Sequence, residues 1–556
     1  MISKLKLKFG SSPTKPPLEL DTTPITVFVG PNNSGKSKIL IEIEAFCRIG
    51  TQNTTDVIFD EISFTPISDP ESEILKYTLT PRHNEAVTFG HIIFGKENHR
   101  HNLSRNDILL YLKETTQQRS PYCQFYVTFN TIRLDGKSRI GLINEQDAGD
   151  LQTLPQNNLQ VLFSDNIKRN EVRRIIFDAF NKYFVVDPTK SGRLRIRLSD
   201  VAPIEEMQER GIHQDAVSFH SRALDINLAS DGVKAFTGII TTIIAGEPKI
   251  ILIDEPEAFL HPSLAFNLGK EISNSVKGSF KNLFVSTHSS NFLMGCIQSG
   301  TPLNIVRLTY SGNIATARIL PSEKVLKLMR HPLLRSTGVL NGLFYESVIV
   351  TESDADRAFY QEINERLLAY LPANGIPNCL FLNAQNYQTI HEMMKPLREM
   401  GIPCAAIVDV DVLKNGGTTW TNLLSSAFIP GVTIESTATA RSLIHTWLKA
   451  RPEIKFKKQG GVDVLDPTEK EACNNLFDQL DEYGIFVVRN GELESWLKTL
   501  GATSGHSPEW LIEIFEKLGE DPQVPTYVKP MTGDVWDFIS KIKTWFTNPN
   551  RKGIPE

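Results

Sequence analysis

A chain of 556 residues is too long for one ordinary core and predicts two or three domains; 40% hydrophobic and 22% charged residues give an ordinary globular balance. No apolar run reaches the roughly 20 residues that a membrane span needs, and the alternating start Met1–Leu7 lacks a signal-peptide core, so the expected location is cytoplasmic. A net charge of −5 argues against a surface coated with nucleic-acid-binding charge, and six scattered cysteines without a CxxC pair argue against zinc and a disulfide framework.

Ile25–Val29 is a short β-branched apolar run that predicts a buried strand. It leads directly into Gly30-Pro31-Asn32-Asn33-Ser34-Gly35-Lys36-Ser37, a full G-x-x-x-x-G-K-S loop, followed by a helix over Lys38 to Cys47. Gly30 and Gly35 let the backbone curl so that loop N–H groups, those of Asn32, Asn33 and Ser34 among them, face nucleotide phosphates. Lys36 reaches the β- and γ-phosphates, and the Ser37 hydroxyl ligates Mg²⁺. The cofactor expected from this loop is ATP with Mg²⁺.

The next 190 or so residues lack sustained heptads, which excludes a long coiled-coil arm. Tyr126 to Ile143, with Asp135-Gly136 between alternating runs, predicts a hairpin. Asn166 to Phe184 has helical spacing. Arg193, Arg195 and Arg197 alternate with apolar residues, placing three cations on one strand face; that face holds a phosphate backbone or is simply solvated.

Lys249–Glu257 is an apolar strand ending in adjacent carboxylates. Asp254 is assigned to Mg²⁺ and Glu255 to polarising the attacking water. Upstream, Leu228–Lys234 contains Ser230-Asp231-Gly232. Downstream come Glu257–Pro262 and a strand, Leu283–Ser289, that ends at His288. This ordered set resembles the signature, D-loop and switch histidine of ABC-type ATPases. The resemblance implies that Ser230 and Gly232 contact a nucleotide held by an opposing head, hence a homodimer or a higher even oligomer. Gln124 and Gln146 are both candidates for the Q-loop glutamine.

Ser311 to Asn341, a mixed polar segment with Pro321, Pro332 and Gly338, predicts a linker. Beyond it a new α/β run begins. Glu346–Glu352, Asn378–Asn383 and Pro403–Asp411 predict strands, with helices over Asp354 to Tyr370 and Asn386 to Met400. The first strand ends in Glu352 and the third in Asp409-x-Asp411, whose side chains share one side of an extended chain. Parallel strands bring such ends to one sheet edge. Carboxylates that close favour a hard divalent cation, Mg²⁺ or Mn²⁺. Gly484–Glu494 predicts a further strand ending near Glu492 and Glu494, after an insertion, Lys414–Tyr483, whose basic patch, Arg451, Lys455, Lys457 and Lys458, contacts DNA or is simply solvated.

This second half resembles a TOPRIM domain. The resemblance assigns metal binding to Glu352, Asp409 and Asp411, with Asp356 and Glu494 completing a second position; Ser353 stands where many such domains have glycine. Both halves together resemble the overcoming-lysogenization-defect (OLD) nucleases. The expected fold is therefore an α/β ABC-type P-loop head over residues 1–310, with an inserted helical or dimerisation region at about 90–220, a linker at 311–341, and a parallel-sheet TOPRIM domain over 342–556. The family resemblance implies ATP hydrolysis, metal-dependent DNA endonuclease activity, a role in anti-phage defence and a co-encoded defence-system partner. Lys529 is the candidate for the family's catalytic lysine, with Lys541 and Lys543 as alternatives. The competing reading is a RecF-like DNA-repair ATPase or clamp module without cleavage.

Overall fold

The alternating start forms β1 (Ile2–Leu7), flanked antiparallel by β2 (Glu19–Asp21) and β4 (Phe59–Phe64). β3 (Ile25–Val29) is buried at all five positions, as an all-apolar central strand must be. A computed structural model describes residues 1–556 except 97, 151, 331–337, 452, 454, 505–507 and 556. The chain forms two compact units, Met1–Ser322 and Glu323–Glu556. No helix among the described residues is long and apolar enough to cross a membrane.

In the first unit, β5 (Thr78–Leu79), β6 (His91–Lys96) and β7 (His99–Ser104) make a small antiparallel sheet. β8 (Thr131–Leu134) belongs to the central sheet. β9 (Gln146–Asp147), β10 (Tyr183–Asp187) and β12 (Leu224–Asp225) each pair with β11 (Arg193–Ser199). β13 (Ile250–Asp254), β14 (Asn282–Ser286), β15 (Leu303–Ser311) and β16 (Ile314–Leu320) complete the central sheet in the order β16-β15-β3-β14-β13-β8. Its strands run parallel except β16. The P-loop and the Asp254–Glu255 pair thus emerge at the same, C-terminal edge.

Four expectations for this unit are corrected. Tyr126 to Ile143 is not a hairpin: Tyr126 lies in a π-helical turn, Cys123–Val127, and packs with Tyr77, Tyr122 and Phe129 in an aromatic cluster. Only β8 is a strand there, and the Asp135 turn leads into the helix Ser138–Gly141. The helix from Asn166 stops at Phe180, where Asn181 takes a left-handed φ of 52°, and β10 follows. The region at about 90–220 is mixed, not helical, because β6 to β11 fall within it. Ser311 to Leu320 is not linker. Gly312 and Asn313, with φ of 53° and 69°, form the two-residue turn of a hairpin that adds β16 to the sheet. Residues 331–337 of that expected linker lie outside the described residues.

Two of the three arginines on the β11 face are turned to an internal carboxylate rather than to solvent or phosphate. Arg195 and Arg197 both donate to the buried Asp187, at 2.7 and 2.5 Å, and only Arg193 is exposed. Burial opposes ionisation of Asp187, but hydrogen bonds from Thr189 and Arg197 prevail and pull its carboxyl down to about 2.

The second unit is built on β17 (Ser347–Thr351), β18 (Cys379–Asn383), β19 (Cys404–Asp409) and β20 (Ile485–Val488), all parallel, in the order β18-β17-β19-β20. The helix Asp354–Tyr370 packs its Phe359, Tyr360 and Ile363 into a core shared with Trp510, Trp536 and Trp545. All six cysteines are free thiols, five of them fully buried. Arg398, fully buried, has no acidic partner among the described residues. Its guanidinium donates to the carbonyls of Cys404, Ala427, Gly553 and Tyr483 and lies over Trp545. It therefore ties three chain segments to the start of β19. Arg398→Met strands four carbonyl acceptors, two buried and two part-buried, and we expect it to destabilise the second unit by about 3 kcal/mol or more. The check is the chemical-denaturation midpoint of that unit.

Candidate functional site

In the first unit the helix Lys36–Ile49 starts directly after the loop, with no side-chain cap and no acid in its first turn. Its leading N–H groups and the positive end of its dipole are thereby left for an anion. Gly30 has a φ of 143°, and a Cβ there would lie 2.0 Å from the Leu308 carbonyl oxygen, so only glycine fits this approach. Lys36 is buried and folds back onto the carbonyls of Gly30 and Pro31, at 2.8 and 2.7 Å. Burial lowers its ammonium to about 8. Asn32 and Asn33 are exposed at the crest of the loop, Asn33 with a φ of 61°, and Ser34 is buried beneath it.

Asp254 ends β13 beside the loop. Its Oδ1 accepts the Ser37 hydroxyl at 2.8 Å and also that of Ser286. Glu255 has a left-handed φ of 49°, and its Oε1 lies 3.5 Å from His288 Nε2. Burial, then Lys36, lowers the His288 imidazole below its ordinary value. Hard oxygen groups on Ser37 and Asp254, an uncapped helix start and a lysine hydrogen-bonded to neutral carbonyls fit a nucleoside triphosphate and a hard divalent cation. Ser230 is exposed at the start of the helix Asp231–Ala245, and its side chain caps nothing. A Cβ on Gly232 would meet the Phe259 carbonyl at 2.6 Å, so glycine lets the signature-like segment sit against the D-loop-like turn.

Neither candidate Q-loop glutamine reaches this edge. Gln124 lies in the π-helical turn, and Gln146 lies in β9, where its Oε1 accepts the Leu159 N–H. The position next to Asp254–Glu255 belongs to the residues after β8. There the buried Arg139 donates to the Glu255 carbonyl at 2.5 Å. Sequence reading missed Arg139, and also Glu257, a buried carboxyl raised by burial that accepts the His288 N–H at 2.7 Å. Nothing in the spacing marks Arg139, since it hangs on a turn mistaken for a hairpin.

In the second unit the strand ends converge. Glu352 follows β17 and Asp409 ends β19. Asp411 sits in the 3-10 turn Val410–Lys414 rather than on an extended chain. One oxygen from each lies within 4.8 Å of the others, the one such acidic cluster among the described residues. The Asp409 N–H donates to Glu352 Oε1 at 2.8 Å, which fixes the spacing of the two strand ends. Burial raises the carboxyls of Glu352 and Asp409, the latter to about 7; the neighbouring acids add to both shifts and Lys457 opposes that of Asp409. Close, partly desolvated carboxylates that resist ionising together fit a hard divalent cation.

Ser353, where glycine was the family expectation, closes a capping box with Asp356: its N–H and hydroxyl engage Asp356 Oδ2 at 3.0 and 2.6 Å. Asp356 is buried, and burial followed by Glu494 raises its carboxyl. It is thus held at the start of the helix within electrostatic reach of Glu352 and Asp409, with Glu494 next to it.

The lysine expectation is corrected. Lys529 lies over the ring of Tyr370, 5.3 Å from its centroid, at the far end of a 17-residue helix. At about 1.5 Å per residue, that is roughly 25 Å from the acids. Lys541 pairs with Asp478 and Asp481, and Lys543 donates to the carbonyls of Pro372 and Ala373. Lys457 is the lysine that reaches the cluster, at 2.8 Å from Asp409, 3.5 Å from Asp411 and 3.8 Å from Glu492. Burial opposes its charge, but Asp409, Asp411 and Glu352 outweigh that and raise its ammonium above the ordinary value. Its place in the basic run of the insertion pointed to DNA contact or a solvated patch, not to the acidic cluster.

Comparison with known proteins finds two family models along the chain. Residues 164–294 match the family model "AAA domain, putative AbiEii toxin, Type IV TA system", and residues 343–411 match "Overcoming lysogenization defect protein-like, TOPRIM domain". The Old nuclease of Escherichia phage P2 is 27% identical over 270 residues, 44% of this chain and 43% of that protein. Endonuclease GajA of Bacillus cereus (strain HuB5-5) is 24% identical over 191 residues, 30% of this chain and 26% of that protein. The chain thus matches less than half the length of either relative. A solved SMC head, bound to the C-terminal winged-helix domain of ScpA, overlaps 59% of this chain and 99% of its own at 14% identity, with a TM-score of 0.34. An AAA-type segment is thus followed in order by an OLD-like TOPRIM segment, and the chain is similar in both parts to the OLD nucleases.

Proposed function

We propose that this protein binds and hydrolyses ATP and is a divalent-metal-dependent DNA endonuclease, acting as an effector of bacterial anti-phage defence. The observation that carries the reading is the convergence of Glu352, Asp409 and Asp411 at the C-terminal edge of a parallel sheet. These three acids hold the central ion, and Asp356 and Glu494 widen the site to a second. Mg²⁺ or Mn²⁺ bound there supplies an activated water and charge stabilisation for phosphodiester hydrolysis. In the first unit Lys36 leaves the Gly30 and Pro31 carbonyls for the phosphates. Gly30, Asn32, Asn33, Ser34 and Gly35 supply the cradle, and Ser37 and Asp254 hold the nucleotide's Mg²⁺. Glu255 polarises water, with His288 beside it to sense the γ-phosphate. Ser230 and Gly232 serve the nucleotide of a second head, in a homodimer or higher even oligomer. The named activities of the Old nuclease and GajA support the reading, and a co-encoded defence-system partner fits it.

The two chemistries separate by mutation. In a plasmid-nicking assay with Mg²⁺ or Mn²⁺, Asp409→Ala and Asp411→Ala are expected to lower cleavage at least 100-fold and to leave ATP hydrolysis within about twofold of wild type. Glu255→Gln is expected to bind ATP yet turn it over at least 100-fold more slowly, while Lys36→Ala loses nucleotide binding. Undiminished cleavage by the Asp409→Ala, Asp411→Ala double variant refutes the nuclease site.

A pH dependence follows from the raised Asp409 carboxyl. Its folded value of about 7 exceeds the ordinary aspartate value of about 3.9 that holds when unfolded. The fold favours the protonated form, so this group's contribution to stability is full below about pH 4 and is lost as pH rises through about 7. Without metal, the melting temperature of wild type should fall relative to Asp409→Asn between pH 5 and pH 8. Mn²⁺ should recover a growing share of that loss over the same range, and differential scanning fluorimetry at fixed ionic strength measures both trends.

A further inference from the structure

We propose that Lys457 is the resident counter-cation of the Glu352–Asp409–Asp411 cluster and gives up its place to a divalent ion, so that metal loading is an exchange of cations. The inference rests on the metal-site reading above and assigns a positioning role to a residue of the insertion, not of the sheet. The ammonium contacts Oδ2 of both aspartates, at 2.8 and 3.5 Å, and Glu492 Oε2 at 3.8 Å. It thereby engages carboxylate oxygens of two of the three acids in the cluster. An ammonium and a divalent ion cannot share those oxygens without repelling one another.

The backbone around Lys457 shows that this contact is built rather than incidental. The side chain sits on the short helix Phe456–Gln459, anchored by buried Phe456. Two close backbone approaches bind that segment to the loop after β20. A Cβ on Gly491, at a φ of 124°, would lie 2.0 Å from the Lys457 carbonyl oxygen. A Cβ on Gly461, at a φ of 58°, would lie 2.0 Å from that of Arg489. Both approaches require glycine. The Val462 N–H donates to the Arg489 carbonyl at 2.9 Å, and the Val410 N–H donates to that of Gly491 at 3.1 Å. Gly491 thus touches both the segment that carries the lysine and the turn that carries the aspartates. Lys455 and Lys458, its neighbours in the basic patch, are exposed, whereas the Lys457 side chain is only 27% exposed.

Removing the ammonium has two opposite consequences. The metal-free cluster loses its compensating charge and becomes less stable. The same cluster then takes a divalent ion without displacing anything, and takes it more tightly. A lysine acting solely on bound substrate predicts neither change, and a lysine supporting the ion predicts weaker binding.

The test is Mn²⁺ titration of the full-length protein without nucleotide, at pH 8, with free Mn²⁺ read by electron paramagnetic resonance. Lys457→Gln is expected to lower the Mn²⁺ Kd about tenfold and to lower the metal-free melting temperature, while Lys458→Gln leaves both unchanged. Lys457→Arg, which keeps the charge and guards against misfolding of the neutral variant, is expected to bind Mn²⁺ no more tightly than wild type. An unchanged or weaker Kd for folded Lys457→Gln overturns the proposal, as does tenfold tighter binding by Lys457→Arg. Wild-type binding that disappears in Asp409→Asn but ignores Lys457→Gln overturns the exchange alone. Wild-type protein that binds no Mn²⁺, or binds it equally well as Asp409→Asn, overturns the metal-site reading and the exchange with it.

Discussion

Parallel strands that end in carboxylates create a charge problem, and much of the second unit is arranged around it. β17 and β19 run side by side, so Glu352 and Asp409 are carried to the same edge whether or not anything there neutralises them. The Asp409 N–H donates to Glu352, which prevents the two strand ends from splaying apart. Asp356 is held by the capping box with Ser353, so part of its acceptor capacity is satisfied locally at the positive end of a helix. A fourth acid, Glu492, also faces Lys457. These contacts hold the acids close together and only partly offset the burial and mutual repulsion that raise the carboxyls of Glu352, Asp409 and Asp356, an arrangement that suits a cation.

The first unit uses the same edge differently. Its six-stranded sheet brings the P-loop and Asp254 together because β14 alone separates β3 from β13. Here the strain lies in the backbone: Glu255 is left-handed, and its carbonyl is held by the buried Arg139. That left-handed turn keeps the Glu255 carboxylate within reach of His288. Arg195 and Arg197, which read as a phosphate-binding face, are consumed by Asp187. Burying that carboxylate demands paired cations, so the arginines serve the interior of this unit.

The sequence was most legible where one strand supplies both the pattern and the chemistry. Ile25–Val29 with its loop, Ile250–Asp254, and the strands before Glu352 and Asp409 all carry an apolar run that ends in the functional group, so period and position agree. Reading failed where a residue acts through tertiary placement. Lys457 belongs to an insertion whose approach to the sheet depends on Gly461 and Gly491, two glycines unremarkable in sequence. Arg139 follows a turn whose next element is a helix, although alternation on both sides suggested strands. The Gly312–Asn313 turn was readable, being two residues between alternating runs, but the polar composition around it suggested a linker.

Two lysines, one in each unit, show how differently a protein can hold a positive charge at a site meant for something else. Lys36 rests on neutral carbonyls, and burial brings its ammonium down to about 8. Its hydrogen bonds are to dipoles, and the carboxylates near it, Glu255, Asp254 and Glu257, only partly offset its burial, so an incoming polyphosphate offers it a better partner and the charge that the fold holds at a disadvantage becomes binding affinity. Lys457 rests on carboxylates and is held above its ordinary value despite its burial. Anything that replaces it must bring more charge and more ligand bonds than one ammonium, and a divalent ion meets that demand where a monovalent one does not. The first lysine is poised to gain a ligand and the second to be replaced by one. The difference comes from whether the oxygens in contact with each ammonium are carbonyls or carboxylates.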